Sequence, residues 1–199
     1  MRYDGKFFRG LEIAGNLAYL NALFIISSLP IVTIAPAWLA MMGVIREWSQ
    51  KNDPPITSTF FTQFKASFRK GLAVSIVQLI IFAILVVDFF VILNFVEVGK
   101  EFILPVIILI TIIVVSMFIY MYPLVLNYKM NVKQLVKNSF YLSFYKPFSI
   151  LAILFFLVVL VMLSTVFRFL PFLCAFSVFT YVYYVIIERS LQRIEEKIN

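Results

Sequence analysis

The chain has 199 residues, of which 63% are hydrophobic and only 14% are charged, and its mean hydropathy is +1.00. Soluble domains are typically about 45–50% apolar and about 25% charged, so the composition excludes an ordinary soluble globular protein. The net charge is +7. Because the basic residues lie in short gaps between apolar runs, they indicate membrane topology and not a nucleic-acid partner.

The residue types needed for common catalytic sites are missing. The sequence contains no histidine, which excludes His-based acid–base catalysis, Ser–His and Cys–His nucleophiles, and zinc sites built on histidine. The single cysteine, Cys174, lies in an apolar run and is interpreted as a small packing residue. No glycine-rich phosphate loop or zinc-protease motif occurs. We therefore expect no enzymatic activity and no cofactor.

The first apolar run, residues 13–45, is too long for one ordinary span. As a single helix it would reach about 50 Å, whereas the hydrocarbon core of a bilayer is about 30 Å thick. Pro30 and Pro36 interrupt it, because proline removes a backbone donor and disfavours helix at the preceding residue. The run is either one long span or two limbs that fold back at residues 28–36, with Pro30, Thr33 and Pro36 in the turn.

The distribution of basic residues favours the hairpin. They form four clusters: Arg2, Lys6 and Arg9; Arg46, Lys51, Lys65, Arg69 and Lys70; Lys129, Lys133, Lys137 and Lys146; Arg189, Arg193 and Lys197. If the first run crosses the membrane twice, all four clusters lie on the cytoplasmic side and only Lys100 and Arg168 lie outside, as the positive-inside rule requires. The two prolines then form the outer turn. The second limb, Pro36–Trp48, is short and is either a tilted span or a re-entrant segment.

Four later runs each have the length of one spanning helix: 71–96, 102–128, 147–167 and 169–187. Together with the first hairpin they predict an all-α, polytopic integral membrane protein with about six membrane segments in three hairpins. We expect one membrane domain, residues 1–199, with hairpin one at about 7–50, hairpin two at 71–128 and hairpin three at 147–190. Both termini are expected in the cytoplasm, and the protein in the cell membrane.

Two gaps between the hairpins carry helical patterns. Phenylalanines in residues 57–70 recur at the spacing of one helix face, and residues 131–146 show a similar apolar pattern, so both are predicted to be amphipathic interfacial elbow helices. The two segments also share a short sequence pattern at an offset of about 76 residues, which indicates a repeated unit of elbow helix plus hairpin. The matching residues are Phe64, Ser67, Phe68 and Lys70 in the first segment and Phe140, Ser143, Phe144 and Lys146 in the second.

Polar residues inside the apolar runs are the candidates for function, because polar groups are costly in lipid. Asp88 is a carboxylate within a predicted span, and Arg168 lies between the last two runs. They form either a binding or gating pair on the outer side, a structural ion pair, or two charges that reach the interface separately. Asn16 and Asn21 on the first helix, and Gln78 on the third, either line a polar path or make interhelical hydrogen bonds.

The N-terminal part of the chain resembles a known family. The sequence from Asn16-Leu-Ala-Tyr-Leu-Asn21 through Leu29-Pro30-Ile-Val-Thr33-Ile-Ala-Pro36-Ala37, followed by Phe60-Phe61-x-x-Phe64-Lys65, is similar to the YesL family of small, uncharacterised bacterial membrane proteins. The similarity of motifs covers about the first eighty residues, and Ala35 stands where the family usually has glycine. The resemblance implies an integral membrane protein associated with carbohydrate-uptake gene clusters, with no established activity.

Two functional hypotheses follow. The first is a non-enzymatic accessory protein that partners a carbohydrate-uptake or transport system. The second is a small transporter or channel-like protein with a polar path that involves Asp88, Arg168, Asn16 and Asn21. In either case the partners are the lipid bilayer and another membrane transport protein or a second copy of the chain.

Overall fold

The computed structural model describes the backbone of residues 6–52, 54–96, 99–128 and 130–198, and the side chains of residues 10–52, 54–96, 99–128 and 130–191. Seven α-helices follow in chain order: α1 Lys6–Ser27, α2 Ile34–Ser49, α3 Ile56–Phe95, α4 Lys100–Asn127, α5 Val132–Tyr145, α6 Pro147–Val166 and α7 Phe176–Ile198. A 3₁₀ turn, Ile31–Thr33, precedes α2, and a π-helical turn, Pro171–Ala175, precedes α7.

Six segments are long and apolar enough to cross a membrane, and the described residues contain no strand. They lie in α1, α2, α3, α4, α6 and α7. Such segments are typical of a multi-pass membrane protein. The predicted all-α class with about six membrane segments is therefore confirmed.

Helix α2 lies at the centre of the molecule. Every residue from Ala35 to Ile45 is buried except Trp38, which is half-buried. In an apolar 18-residue window of Ile31–Ser49 56% of the residues are buried, against 11% in the corresponding windows of α3, α4 and α6. Helices α1, α3, α4 and α7 all contact α2. A helix that is apolar on every side and covered by protein forms a core, so α2 packs the protein together and does not face lipid.

Helices α2 and α3 pack closely and run antiparallel. The backbone N–H of Ala35 donates to Ser75 Oγ at 3.2 Å. A Cβ atom on Gly71 would lie 2.9 Å from the backbone of Pro36, and one on Gly43 would lie 2.7 Å from the Gln63 side chain. Small residues let the two backbones approach, as they do between helices in membranes. Thus α2 lies along the first half of α3.

This packing places the first turn differently from the expectation. Ile34 lies beside α3 at about the height of Ser75. From Ser75, α3 continues for 20 more residues, about 30 Å, to Phe95. The turn is therefore far from the α3–α4 connection at Lys100, whereas the charge pattern predicted that both lie on one outer face. The physical reason is that α2 follows the basic half of α3 and not its apolar half.

The turn itself contains two of its three predicted residues. Pro30 precedes the 3₁₀ turn and Thr33 ends it, and the Thr33 hydroxyl shares its proton between the carbonyl oxygens of Pro30 and Ser27 at 2.7 and 2.8 Å. Pro36 lies in the first turn of α2, where a missing backbone donor costs nothing. Its buried ring packs against Gly71.

The two predicted elbow segments fold differently, because the residue that follows the first is glycine and the residue that follows the second is proline. Residues 57–70 belong to the single 40-residue helix α3, which at about 60 Å is twice the thickness of a hydrocarbon core. The second elbow is a separate helix, α5, which ends at Lys146 in a non-helical conformation. At the repeat offset, Gly71 corresponds to Pro147. Glycine leaves the helix intact, whereas the proline breaks it at the preceding residue.

We expect Gly71→Ala to lower the melting temperature of the purified protein, because the added methyl group must displace the Pro36 backbone. Overpacking of this kind typically costs about 1–3 kcal/mol. The matched control is Gly15→Ala, since a Cβ there meets nothing within 4 Å. It should leave the melting temperature unchanged or raise it. Equal melting temperatures for the two variants would contradict the close packing of α2 on α3.

Candidate functional site

A cavity of about 170 Å³ lies between α4 and α6 and opens on one side. We call it the aromatic cleft. Residues of α2 and α7 form the part of its lining that we call the floor, and two residues of α3 complete the lining. The lining residues are Trp38, Gln78, Phe82, Val115, Phe118, Ile119, Tyr122, Ile153, Leu154, Leu157, Phe179 and Tyr183. No acidic or basic side chain belongs to this lining, so the cleft is suited to an uncharged occupant.

The cleft contains one polar pair. The Tyr122 hydroxyl donates to Gln78 Oε1 at 2.5 Å. The Gln78 amide nitrogen has no hydrogen-bond partner among the described residues, so its two N–H groups stay available at the lining. The Tyr183 hydroxyl, in contrast, is occupied because it donates to the carbonyl oxygen of Ile119.

Trp38 joins the cleft to the core. Its ring centroid lies 5.7 Å from those of Phe24 and Phe179, in edge-to-face arrangements. Trp38 Nε1 is buried without a hydrogen-bond acceptor in the described part of the chain. Because the neighbouring rings offer only weak N–H···π contacts, the indole acts mainly by filling space and fixing the floor of the cleft.

Asn21 is fully buried and holds the start of α7 in place. Its amide nitrogen donates to the carbonyl oxygens of Pro171 and Phe172 at 3.0 and 2.8 Å. Its Oδ1 accepts the backbone N–H groups of Phe176 and Ser177 at 3.1 and 3.2 Å. One side chain thus hydrogen-bonds to four backbone groups of the π-helical turn and the start of α7. Asn21 is therefore an interhelical clamp.

Asn16, five residues earlier on α1, differs from Asn21. It is half-buried and makes no hydrogen bond within the described part of the chain. The structure therefore does not bring the two amides together in one polar path.

Among the described residues, Asp88 and Arg168 do not form an ion pair, which was one of the alternatives that the sequence left open. Asp88 lies on α3 and is half-buried, and Arg168 lies exposed in the turn after α6. Among the described residues, the ion pair found is Arg46 with Glu47 at 3.8 Å. The two predicted partners stay apart because α6 packs chiefly against α7 and not against α3.

The aromatic cleft is the part of the site that the sequence did not predict. Gln78 is a single amide within an apolar run, and that was the available signal. Its partner Tyr122 comes from another helix, 44 positions later in the chain. Tyrosines at the ends of apolar runs resemble those of an interfacial belt, so their pattern alone did not indicate a cleft.

We expect Asn21→Leu to destabilise the protein strongly, because two backbone groups of the π-helical turn and two at the start of α7 each lose a hydrogen bond. Each buried polar group left unpaired costs about 1–3 kcal/mol. Asn16→Leu is the matched control on the same helix and should change the stability little. The measurement is thermal unfolding in detergent, followed by circular dichroism. Similar melting temperatures for the two variants would show that Asn21 is not a clamp.

Comparison with known proteins agrees with the resemblance found in the sequence. Residues 17–89 match the family described as "Protein of unknown function, DUF624", and this segment runs from α1 to α3. The chain is 29% identical to uncharacterized protein YesL of Bacillus subtilis (strain 168) over 66% of its own length and 64% of YesL. It is also 29% identical to uncharacterized protein YteU of the same organism, over 72% of its length and 67% of YteU.

The chain thus spans about two thirds of the length of these relatives (64% and 67%). No solved structure matches it. The matched segment contains the buried helix α2 and the part of α3 on which it packs. The chain is thus similar to DUF624 proteins over residues 17–89, and to YesL and YteU over about two thirds of its length.

Proposed function

We propose that the protein is a non-enzymatic accessory protein that binds another membrane protein through the distal part of the α3–α4 hairpin. This distal arm comprises residues 79–95 of α3 and 100–112 of α4. Within this arm, the side chains of Leu85 and Ile92 are buried, and the other side chains are exposed or half-buried. Most of the arm is apolar and is compatible with lipid.

Asp88 is the observation that supports a protein partner. It lies seven residues, about 10 Å, before the end of α3 at Phe95. It makes no hydrogen bond or ion pair within the described part of the chain. A charged side chain at the centre of a membrane helix costs about 2.5–3.5 kcal/mol on insertion scales, with a smaller cost toward the interface, and such residues usually pair. A cation or a hydrogen-bond donor from a second protein would supply the missing partner.

Of the other polar groups of the arm, Glu101 is exposed in the first turn of α4, and three have partners within the arm. The Asn94 amide donates to the Phe90 carbonyl oxygen at 2.8 Å, and the Thr111 hydroxyl donates to that of Ile107 at 2.8 Å. Lys100 Nζ donates to the Leu93 carbonyl oxygen at 3.0 Å. Unlike these three residues, Asp88 makes no hydrogen bond within the described part of the chain, and we therefore place the proposed contact at Asp88.

The partner that we propose is a membrane transport protein of a carbohydrate-uptake system. This assignment is supported by the resemblance to the YesL family. The alternative, a small transporter with a path through Asp88 and Arg168, is less well supported because these two residues do not meet and the Asn21 amide is fully occupied.

We further propose that the basic end of the molecule faces the cytoplasm at the cell membrane. Arg46 Nη1 donates to the carbonyl oxygen of Leu126, and Ser49 Oγ donates to Glu188 Oε2, at 3.2 and 3.4 Å. These contacts bring the C-terminal ends of α2 and α4 together with the middle of α7, near the start of α3. Lysines and arginines therefore accumulate at one end, as the positive-inside rule describes for cytoplasmic surfaces.

The partner is tested by purifying the tagged protein from native membranes after mild crosslinking. We expect a transport protein to be recovered with the wild type, and Asp88→Leu to lower its recovery at least tenfold. Val87→Leu is the matched control, because Val87 is an exposed neighbour on the same helix. Unchanged recovery with Asp88→Leu would refute the proposed contact. Solute flux by the purified protein alone in liposomes, abolished by Asp88→Asn, would support the transporter instead.

The orientation is tested with single cysteines in a Cys174→Ser background. In intact cells, a membrane-impermeant maleimide should label Lys100→Cys and should label Gln50→Cys only after permeabilisation. The reverse pattern would place the basic end outside and contradict the proposed orientation.

A further inference from the structure

We propose that the aromatic cleft is a binding site for the ring of an uncharged, lipid-soluble molecule that carries a carbonyl oxygen, such as a quinone with an alkyl or prenyl tail. This inference concerns the side of the protein between α4 and α6. It does not depend on the partner proposed for Asp88.

The size of the cleft fits one ring. Its volume is about 170 Å³. An engineered cavity of about 150 Å³ in another protein binds benzene, so the space here suits one six-membered ring with small substituents. The walls also suit a flat ring. Trp38 and Tyr122 lie 6.4 Å apart between centroids, and Phe179 and Tyr183 are nearly parallel at 6.1 Å. Such faces pack well on an aromatic or quinoid ring.

The Gln78–Tyr122 pair determines which group the ring must carry. With Tyr122 donating to Oε1, the Gln78 N–H groups stay free; with the amide reversed, the Tyr122 O–H becomes free instead. In both arrangements the pair offers a donor to the cleft. A purely hydrocarbon occupant would leave this donor unpaired at a cost of about 1–3 kcal/mol, whereas a carbonyl oxygen accepts it.

Other ligand classes fit less well. A phosphate or carboxylate head group would need a cation, and the lining contains none. A sugar ring carries several hydroxyl groups, but the cleft offers one available polar pair, since the Tyr183 hydroxyl already donates to Ile119. Burying the remaining hydroxyl groups without partners would oppose binding. The cleft therefore favours a mostly apolar ring with few acceptors.

The opening of the cleft provides a route by which the ligand enters and a space for its tail. The flanks of α4 and α6 next to the lining are exposed and apolar, for example Ile112, Val158 and Val161. A tail attached to the bound ring would leave the cleft between these two helices and lie along apolar side chains. The membrane is accordingly the source from which the ligand enters.

Tryptophan fluorescence tests the proposal directly, because the chain has two tryptophans and Trp38 lines the cleft. Trp48→Phe leaves Trp38 as the reporter. A quinone with a ten-carbon tail, titrated into this variant in nanodiscs, should quench its fluorescence saturably. The reciprocal variant, Trp38→Phe, should show only weak and non-saturating quenching. Non-saturating quenching of Trp38 would overturn the proposal.

Further substitutions in the Trp48→Phe background test which residues of the cleft recognise the quinone. Gln78→Leu should weaken saturable quenching about tenfold, whereas Asn94→Leu, an exposed amide on the same helix, should leave it unchanged. Leu157→Phe, which narrows the cleft without adding a second tryptophan, should weaken binding while circular dichroism stays constant. Equal affinities for the Gln78→Leu and Asn94→Leu proteins would refute the role of the polar pair.

Two competitors identify the ligand class. Decanol, which has a tail but no ring, should not reverse the quenching of Trp38 by the quinone; full reversal would show that the site recognises only a chain and would overturn the proposal. A quinone without a tail should bind at least tenfold more weakly. Equal binding of the two quinones would contradict a ligand supplied by the membrane.

Discussion

The close contact between α2 and the first half of α3 is the interaction on which the rest of the structure depends. In lipid, helices gain little from the hydrophobic effect, so their association depends on van der Waals packing and interhelical hydrogen bonds. Gly71 lets the Pro36 backbone approach, and Ser75 accepts a hydrogen bond from Ala35. Small residues on α2 continue this packing. Helices α1, α4 and α7 then cover the remaining faces of α2.

The same core positions both functional features. Trp38, on α2, places its indole among rings of α1, α4 and α7 and so forms the floor of the aromatic cleft. Asn21, on α1, fixes the turn that precedes α7. Hairpins two and three are thus each tied to the first hairpin more than to one another. A gap between α4 and α6 remains, and that gap is the cleft.

Much of the architecture could be predicted from the sequence, because apolar length and proline position act locally. The number of membrane-length helices, the turn at Pro30 and Thr33, and the separate second elbow all follow from such signals. The depth of the first turn could not be predicted, since counting charges assigns residues to a side of the membrane and not to a level along a neighbouring helix. The position of the turn along α3 is set instead by the close packing of Pro36 against Gly71.

The site was harder to predict for the same reason. Asn21 meets backbone groups about 150 positions later in the chain, and Gln78 meets Tyr122 on another helix. No periodicity encodes such pairs. Asp88 and Arg168 were a reasonable pair by charge, yet chain topology keeps them apart. The positions of polar residues in the sequence therefore identified candidates, and helix packing decided what each one contacts.

A disulfide test in membranes addresses the central packing most directly. In a Cys174→Ser background, the pair Ala35→Cys and Ser75→Cys is compared with the pair Ala35→Cys and Phe95→Cys under mild oxidation. If α2 begins beside Ser75, the first pair should crosslink efficiently and the second should not. Efficient crosslinking of residue 35 to residue 95, with none to residue 75, would show that the first hairpin extends along the distal half of α3 and would contradict this arrangement.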